Sequence, residues 1–328
     1  MKNNIIAYLI ALFLLSFLFL CIAIYYPLQS RSFAEEKIFE IREQEGLFKI
    51  AQKLERKKLI RDNLIFELYV IARADFYNLK RGHYRLSTNM SIAEIAQKII
   101  DGETVDFKLT FIEGWDRKKI GEYLEEKEVI QLENFLEQTK NYNKDLELLK
   151  NKPKELNLEG YLFPDTYFFE KNVNSKEIID RMLLTLQNKL KKETELENKN
   201  IHKIITMASL IEKEVKTYED KRIVSGIAWK RLENNVPLQM DATITYLTGK
   251  NSTKVSLKET EIDSPYNTYK NRGLPPGPIC NPGLDSIKAA LNPKESEYWY
   301  YLSTPSGETI FSRNLREHNI AKEKYLKN

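Results

Sequence analysis

The 328-residue sequence has few of the side chains that carry metal and thiol chemistry. It contains two cysteines, and because Cys21 lies in an apolar N-terminal run, only Cys280 remains in the rest of the chain. An intrachain disulfide in that remaining part is therefore excluded. The three histidines, His83, His202 and His318, are widely scattered, and no two of them have the spacing of metal ligands. We expect no metal site and a fold that depends on its hydrophobic core.

Signature motifs of several enzyme classes are also absent. The sequence has no Gly-x-Ser-x-Gly elbow, no phosphate-cradling glycine loop and no dinucleotide-binding fingerprint. These absences disfavour an esterase, a nucleotide-dependent enzyme and a dehydrogenase, and we expect no cofactor. The net charge is only +4 although 30% of the residues are charged, so nothing resembles a nucleic-acid-binding protein.

A long apolar run lies near the N-terminus. Ile5–Tyr26 contains 22 residues without a charge, which as a helix would span about 33 Å, close to the roughly 30 Å core of a bilayer. Ile22–Leu28 offers no small-residue cleavage pattern, and Lys2 precedes the run, although Arg31 follows it. The sequence thus predicts a cytoplasmic tail over residues 1–4, a transmembrane helix over residues 5–26 and a linker over residues 27–36.

A weak internal repeat occupies the next third of the chain. Ile50–Leu54 recurs as Ile95–Ile99 and, more loosely, as Ile120–Leu124. Each copy begins an amphipathic pattern and follows a strand-like segment and a turn residue, which indicates small strand–helix units. Chance recurrence in a chain rich in Lys, Ile and Glu is the alternative. Residues 129–154 are charged with little apolar periodicity, and we interpret them as a helical connecting arm.

The segment Leu210–Val215 places two carboxylates among apolar residues. Ile201–Val215 has no Gly or Pro, and helical spacing puts Glu212 and Glu214 at the two borders of a wide apolar face, where both would point inward, with Lys213 opposite. Burial there would raise the pKa of a carboxyl group, as a general acid requires. The alternative is that both acids flank a core stripe and reach out to solvent.

Further segments indicate the architecture of the C-terminal half. An aromatic-rich segment begins at Gly160 and a helix is predicted from about Ser175 to Asn198; the aromatic rings fit a core or a sugar-binding cleft. A second helix is predicted over Ile223–Leu232, and Asp241 is a plausible N-cap of the next helix. Paired strands are predicted over Tyr298–Leu302 and Thr309–Phe311.

A rigid loop is predicted over Gly273–Gly283. These eleven residues include four prolines and three glycines, which excludes a helix or an inner strand. Such a loop suits a binding cleft, since its shape is fixed before a ligand arrives. A structural crossover is the alternative.

Four sequence segments follow one another after the apolar run. Met207–Glu214, Leu238–Thr243, Tyr266–Tyr269 and the loop together resemble the MltG/YceG-like family of membrane-anchored endolytic murein transglycosylases. The resemblance covers nearly the whole chain after the apolar run. It implies an α+β fold with a LysM-like α/β module over residues 37–106, a connecting region over 107–159 and a largely helical, lysozyme/transglycosylase-like catalytic domain with small β elements over 160–328.

The resemblance also implies the reaction and its residues. Glu214 would be the catalytic acid of a lyase that cleaves glycan strands of peptidoglycan between N-acetylmuramic acid and N-acetylglucosamine and leaves 1,6-anhydro ends. The enzyme would act as a terminase of nascent strands. Supporting roles fall to Glu212, Gln239, Asp241 and Thr243, and substrate-binding roles to Tyr266, Asn267, Thr268, Tyr269, Pro276 and Asn281.

Peptidoglycan glycan strands are the expected substrate, and glycan polymerases and other wall-synthesis proteins are candidate partners. Two alternatives differ in class. A water-using muramidase would need a second carboxylate, for which Glu212 or Asp241 could serve, and would give reducing ends. A non-catalytic, membrane-anchored peptidoglycan-binding scaffold would not require Glu214.

Overall fold

A computed structural model describes residues 2–27, 35–42, 45–105, 107–169, 173–250 and 255–326. The chain forms two compact units. The first comprises Met1–Leu109 and Tyr167–Asn172, and the second comprises Thr110–Thr166 and Val173–Asn328. Each unit has its own order of helices and strands.

The first unit combines helices with a two-stranded antiparallel sheet. Its elements are α1 (Lys2–Tyr25), β1 (Glu36–Ile41), α2 (Leu47–Arg56), α3 (Asn63–Ala72), β2 (Gly82–Ser87) and α4 (Ile92–Asp101). Strands β1 and β2 pair with Phe39 opposite Tyr84. Strand β3 (Phe107–Thr110) follows and pairs with β4 (Thr166–Phe169), and the chain passes from the first unit to the second and back within these strands.

The repeated sequence forms the core of the first unit. Ile50 and Leu54 of α2 and Ile95 and Ile99 of α4 are buried in one cluster with Phe39. Helix α4 begins at a capping box in which Ser91 and Glu94 each satisfy a backbone N–H of the other. The third copy, Ile120–Leu124, lies in α5 of the second unit.

The second unit is largely helical. Its elements after β3 are α5 (Arg117–Glu126), α6 (Leu132–Lys140), a 3₁₀ turn (Glu147–Leu149), β4, α7 (Ser175–Glu193), a 3₁₀ turn (Leu196–Asn198), α8 (Ile201–Glu214), α9 (Tyr218–Glu233), α10 (Asp241–Thr248), a 3₁₀ turn (Glu259–Glu261), α11 (Leu284–Leu291), β5 (Tyr300–Ser303), β6 (Thr309–Ser312) and α12 (Leu315–Tyr325). Strands β5 and β6 form an antiparallel hairpin.

Helix α8 is the central element of the second unit. It packs against α9, α10 and α11, and every residue from Ile205 to Ile211 is buried. Its N-cap is Asn200, whose side chain accepts the N–H of Lys203 at 3.1 Å. Its two acidic residues, Glu212 and Glu214, both lie in its last turn.

The coarse α+β prediction is confirmed, since helices dominate and the strands pair in small sheets. The LysM-like assignment of residues 37–106 stays a prediction. Residues 129–154 do not form a separate arm: they belong to the second unit, where α6 packs against α5 and α7 and where Phe135 and Leu148 are buried.

In the part of the chain that the structure describes, no helix combines the length and the apolar character that crossing a membrane requires. The transmembrane helix predicted over residues 5–26 is therefore not confirmed. The tail and linker predicted beside it include residues outside the described ranges.

Candidate functional site

Glu214 is the last residue of α8 and its carboxyl group ends among protein donors. The hydroxyl of Tyr301 donates to Oε2 at 3.1 Å, and the N–H of Ala242 makes a long contact of 3.4 Å with Oε1. The side chain is half-buried, and the neighbouring Met207 and Leu210 are fully buried. The predicted inward position of Glu214 is confirmed.

The surroundings of Glu214 favour its protonated form. Burial, and then the nearby negative charge of Asp241, raise the pKa of Glu214 to about 7, while the bonds from Tyr301 and Ala242 oppose the rise. The position at the C-terminus of α8 acts in the same direction as burial, because that end of a helix carries partial negative charge. A carboxyl group in this state can donate a proton near neutral pH and take one back.

Asp241 lies close to Glu214 on α10. It is exposed, and its Oδ1 accepts a hydrogen bond from the hydroxyl of Tyr269. The predicted N-cap role of Asp241 is wrong, because Met240 is the N-cap and Asp241 is the first helical residue. The Asp241 carboxylate instead accepts the hydrogen bond from Tyr269, and its negative charge raises the pKa of Glu214.

Thr268 fixes the turn that leads into α10. Its hydroxyl accepts the N–H of Met240 at 3.0 Å and lies 3.1 Å from the hydroxyl of Thr243, while its carbonyl accepts the N–H of Gln239 at 3.0 Å. Gln239 is exposed and has a φ of +53°, a left-handed conformation that is uncommon for a residue with a Cβ. The predicted supporting residues Gln239 and Thr243 therefore lie together, with Thr243 buried as a structural member.

Glu212 has a different environment from Glu214. Its side chain is 9% exposed and pairs with Lys221 of α9 at 3.2 Å. The same Oε2 accepts bonds from the hydroxyl of Ser286 and from the N–H of Gly283 at 3.1 Å. The alternative that Glu212 reaches solvent is thus wrong: this acid joins α8 to α9 and to the start of α11.

The proline-rich loop is attached along α8. The Ile279 N–H donates to the Ser209 hydroxyl at 3.1 Å, and the Cys280 thiol donates to the Ser209 carbonyl at 3.3 Å. Nε2 of His202 lies 2.8 Å from the carbonyl oxygen of the exposed Pro276. The loop therefore follows the helix that ends in Glu214, and its role as a cleft wall stays a prediction.

Two asparagines predicted to bind substrate are fully buried. Asn281 accepts the Leu162 N–H at 2.9 Å and donates to the carbonyl of Trp115 at 2.9 Å. Asn267 donates to two carbonyls of the preceding segment and accepts the N–H of Tyr269 at 2.9 Å. Both side chains are fully inaccessible to solvent, so they position the loops and do not reach a ligand in this conformation. Tyr266 is half-buried, and its ring lies against that of Tyr246.

The structure adds residues that the sequence interpretation missed. Tyr301 was visible only as one of several aromatics in a predicted strand, and nothing local indicates that it meets Glu214. Arg231 is buried behind the site and donates to the carbonyls of Leu238 at 2.8 Å and Trp299 at 2.7 Å. Glu159 is a second buried acid: burial raises its pKa to about 8, although its carboxyl accepts the Arg117 N–H at 3.1 Å. The sequence indicated Glu159 only through its position next to Gly160, where the composition changes.

Comparisons with known proteins show which family this sequence resembles. The model of the YceG-like family matches residues 39–324. A protein of Bacillus subtilis (strain 168) named endolytic murein transglycosylase is 37% identical over 293 residues, which are 84% of this chain and 81% of the relative. A protein of the same name from Streptococcus pneumoniae serotype 2 is 31% identical over 311 residues, 85% of this chain and 56% of the relative.

A solved structure also resembles this chain. The crystal structure of a yceG-like protein from Listeria monocytogenes superimposes with a TM-score of 0.57 at 34% identity, and the match covers 88% of this chain and 99% of the other. The family match extends over most of the sequence, including the four ordered segments around Glu214. The chain belongs to the YceG-like family.

Proposed function

We propose that this protein is an endolytic murein transglycosylase that cleaves glycan strands of peptidoglycan, with Glu214 as the catalytic acid and base. Relatives that are 37% and 31% identical carry that name. The observation that supports the role of Glu214 is its half-buried carboxyl group at the end of α8, whose pKa is raised to about 7. An ordinary exposed glutamate would be deprotonated at neutral pH and could not donate.

Glu214 would act twice in one cycle. As the acid it protonates the glycosidic oxygen between N-acetylmuramic acid and N-acetylglucosamine, and the bond from that oxygen to the anomeric carbon breaks. As the resulting carboxylate it takes the proton of the muramic C6 hydroxyl, whose oxygen attacks the anomeric carbon. A 1,6-anhydro end forms and no water is consumed. One carboxyl group suffices because the nucleophile belongs to the same sugar.

The side chains around Glu214 would have one of two roles: some would contact the glycan, and others would hold the backbone that carries those contacts. Tyr266, Tyr269, Gln239 and Pro276 are at least partly accessible and can meet a glycan, whereas Thr243, Asn267, Thr268 and Asn281 are buried and hold the backbone that carries them. Tyrosine rings are suited to this task, since an apolar face can lie against the C–H face of a sugar while the hydroxyl makes a hydrogen bond. Asp241 would keep Glu214 protonated until the substrate binds.

A water-using muramidase is the second candidate, because Asp241 is near enough to Glu214 to raise its pKa and could activate a water. Product analysis separates the possibilities. Purified glycan strands treated with wild type should give 1,6-anhydro ends by mass spectrometry. Reducing ends would show the muramidase, and no cleavage would leave a binding scaffold.

The same assay tests Glu214. The Glu214→Gln variant keeps the shape of the side chain but cannot exchange its proton, so cleavage should fall by about 10²–10⁴-fold, as for loss of a general acid–base group. Glu219→Gln, an exposed carboxylate on α9, is the matched control and should cleave like wild type. Full activity of folded Glu214→Gln would contradict the mechanism. The wild-type kcat/KM should also fall as pH rises above about 7, because the acid form is then lost.

We further propose that the catalytic part lies outside the cytoplasm, where its substrate is, and acts as a terminase of nascent strands near glycan polymerases. The uncharged run Ile5–Tyr26 supports a single-pass anchor in the cytoplasmic membrane. A reporter that is active only after export should work when fused at Asn328, and a cytoplasmic reporter should not. The reverse pattern would contradict both the location and the substrate class.

A further inference from the structure

We propose that Tyr301 is a positioning residue that holds Glu214 through Oε2 and balances its acid and base forms, and that Arg231 fixes Tyr301 in this position. The inference rests on the proposed role of Glu214 and assigns a function to the C-terminal hairpin. Three sets of observations support it: the contacts of β5 with Glu214, the contacts of Arg231 with the backbone near Tyr301, and the groups that favour one or the other protonation state of Glu214.

The first set comes from β5. The hydroxyl of Tyr301 donates to Oε2 of Glu214 at 3.1 Å, and the hydroxyl of Ser303 donates to the backbone carbonyl of Glu214 at 3.3 Å. Residues two apart in a strand point to the same side, so one face of β5 meets both the side chain and the backbone of the same glutamate. The hairpin therefore fixes Glu214 at the point where α8 ends.

The second set comes from Arg231 on α9. Its guanidinium donates to the carbonyl of Trp299, next to the start of β5, through Nε at 3.0 Å and Nη2 at 2.7 Å. Nη1 donates to the carbonyl of Leu238 at 2.8 Å, in the segment that leads to Asp241. One buried side chain thus joins the strand carrying Tyr301 to the turn carrying Asp241. The planar fork of arginine donors suits this geometry better than a lysine would.

The third set consists of opposing influences on Glu214. The titratable groups that interact with it are Asp241 on α10, Tyr269 in the following loop and Tyr301 on β5, and Arg231 on α9 acts on the two tyrosines. Burial and Asp241 favour the neutral acid, whereas the hydrogen bond from Tyr301 favours the carboxylate. Since Glu214 must first give and then take a proton, neither form can dominate, and the tyrosine supplies the opposing influence.

The test is Tyr301→Phe, which keeps the ring and removes the hydroxyl. The alkaline limb of the kcat/KM profile should move upward by about one pH unit, because the carboxylate loses a donor. At pH 7 kcat should fall about tenfold with a smaller change in KM, because Glu214 is less well held. Tyr298→Phe is the matched control: its ring packs on Phe311 of the same hairpin, and its profile should be that of wild type.

A second measurement reads the carboxyl group without activity. In the full chain labelled with ¹³C-glutamate, the resonance absent from Glu214→Gln is that of Glu214, and its titration should move upward in Tyr301→Phe. Placing 3-fluorotyrosine at position 301 strengthens the donor and should move both the titration and the alkaline limb downward. Arg231→Lys should lower kcat in the same direction as Tyr301→Phe.

Unchanged titration and an unchanged alkaline limb in both position-301 variants would overturn the inference. The failure of the proposed function is a separate result: wild type would give no 1,6-anhydro ends, or folded Glu214→Gln would still cleave. A Tyr301→Phe variant that loses activity only through unfolding would leave the fluorotyrosine variant to decide, and no shift there would overturn the inference as well.

Discussion

Nζ of Lys221 lies 3.2 Å from Oε2 of Glu212, and both side chains are almost inaccessible to solvent. Two residues further along the same helix, Glu214 has no such cation among the residues that the structure describes and instead contacts a tyrosine hydroxyl and a peptide N–H. The last turn of α8 therefore carries one acid held in a buried ion pair and one held by neutral hydrogen-bond donors. The ion pair attaches α8 to α9, while Glu214 faces the hairpin and α10.

Glu212→Gln should reduce stability more than catalysis. The change leaves Lys221 buried without its partner, and breaking a buried pair in this way costs about 3–5 kcal/mol. Chemical denaturation should show this loss, while cleavage per folded molecule should stay well above that of Glu214→Gln. The double variant Glu212→Gln/Lys221→Met should recover part of the stability. If folded Glu212→Gln were inactive and Glu214→Gln active, the assignment of the acid would be reversed.

Glu159 should make the stability of the protein depend on pH. Burial raises its folded-state pKa from 4.5 to about 8, so the folded state binds a proton more tightly than the unfolded state. The contribution to stability is fully present below about pH 4.5 and is lost as pH rises towards 8. Glu159→Gln mimics the neutral form. Between pH 5 and 8 the free energy of unfolding of wild type should therefore decrease by at least about 2 kcal/mol more than that of the variant. Exposed Glu197→Gln should retain the wild-type slope; an equal slope in Glu159→Gln would contradict the prediction.

Gly160 should tolerate no side chain. It has a φ of +84°, and a Cβ there would overlap the ring of Pro278 in the rigid loop. Gly307, in the β5–β6 turn, has a similar φ of +86° but open space around it. The free energy of unfolding of Gly307→Ala should therefore fall by only about 1 kcal/mol, the cost of a positive φ for alanine. That of Gly160→Ala should fall by about 3 kcal/mol, because the added Cβ also overpacks against Pro278. Thermal unfolding measures both, and equal losses would show that the loop moves aside.

Pro276→Gly should weaken cleavage more than it lowers the melting temperature. The proline is exposed, so few contacts are lost, but the loop gains freedom that binding must then remove. Pro293→Gly, at another exposed proline outside the loop, should lower the melting temperature by a similar few degrees and keep full activity. Equal activity of the two variants would indicate that the loop is only a structural crossover that leads into α11.

Local patterns predicted much of the fold. α8 and the two strands of the C-terminal hairpin appear close to their predicted bounds, and the repeated segments Ile50–Leu54 and Ile95–Ile99 lie within α2 and α4. Helical spacing alone also placed Glu212 and Glu214 at the borders of the apolar face. The bounds at helix starts were less accurate: α9 begins at Tyr218, because the Thr217 side chain caps it by accepting the N–H of Asp220 at 3.2 Å.

The roles of several polar residues were predicted less well. Asn281 and Asn267 have the chemistry of sugar-binding residues, and only burial shows that their amides are used inside the protein. Asp241 fits an N-cap by type, yet α10 starts one residue earlier than that role requires and its side chain turns to Tyr269. Residue type determines which hydrogen bonds a side chain can make, whereas the partner in those bonds depends on which segments pack together.

The sequence by itself determined that an acid at position 214 ends an apolar helix and that residues 273–283 form a stiff loop, because periodicity and proline content act over a few neighbouring residues. Only the tertiary structure decided what that acid meets. Tyr301 lies 87 positions from Glu214 in the sequence. Arg231 joins the strand of Tyr301 to the turn of Asp241 by donating to backbone carbonyls, and residue type does not indicate such bonds because every residue has a carbonyl. Burial, Asp241, Tyr301 and Ala242 together set the pKa of Glu214, so it depends on packing and not on the local sequence.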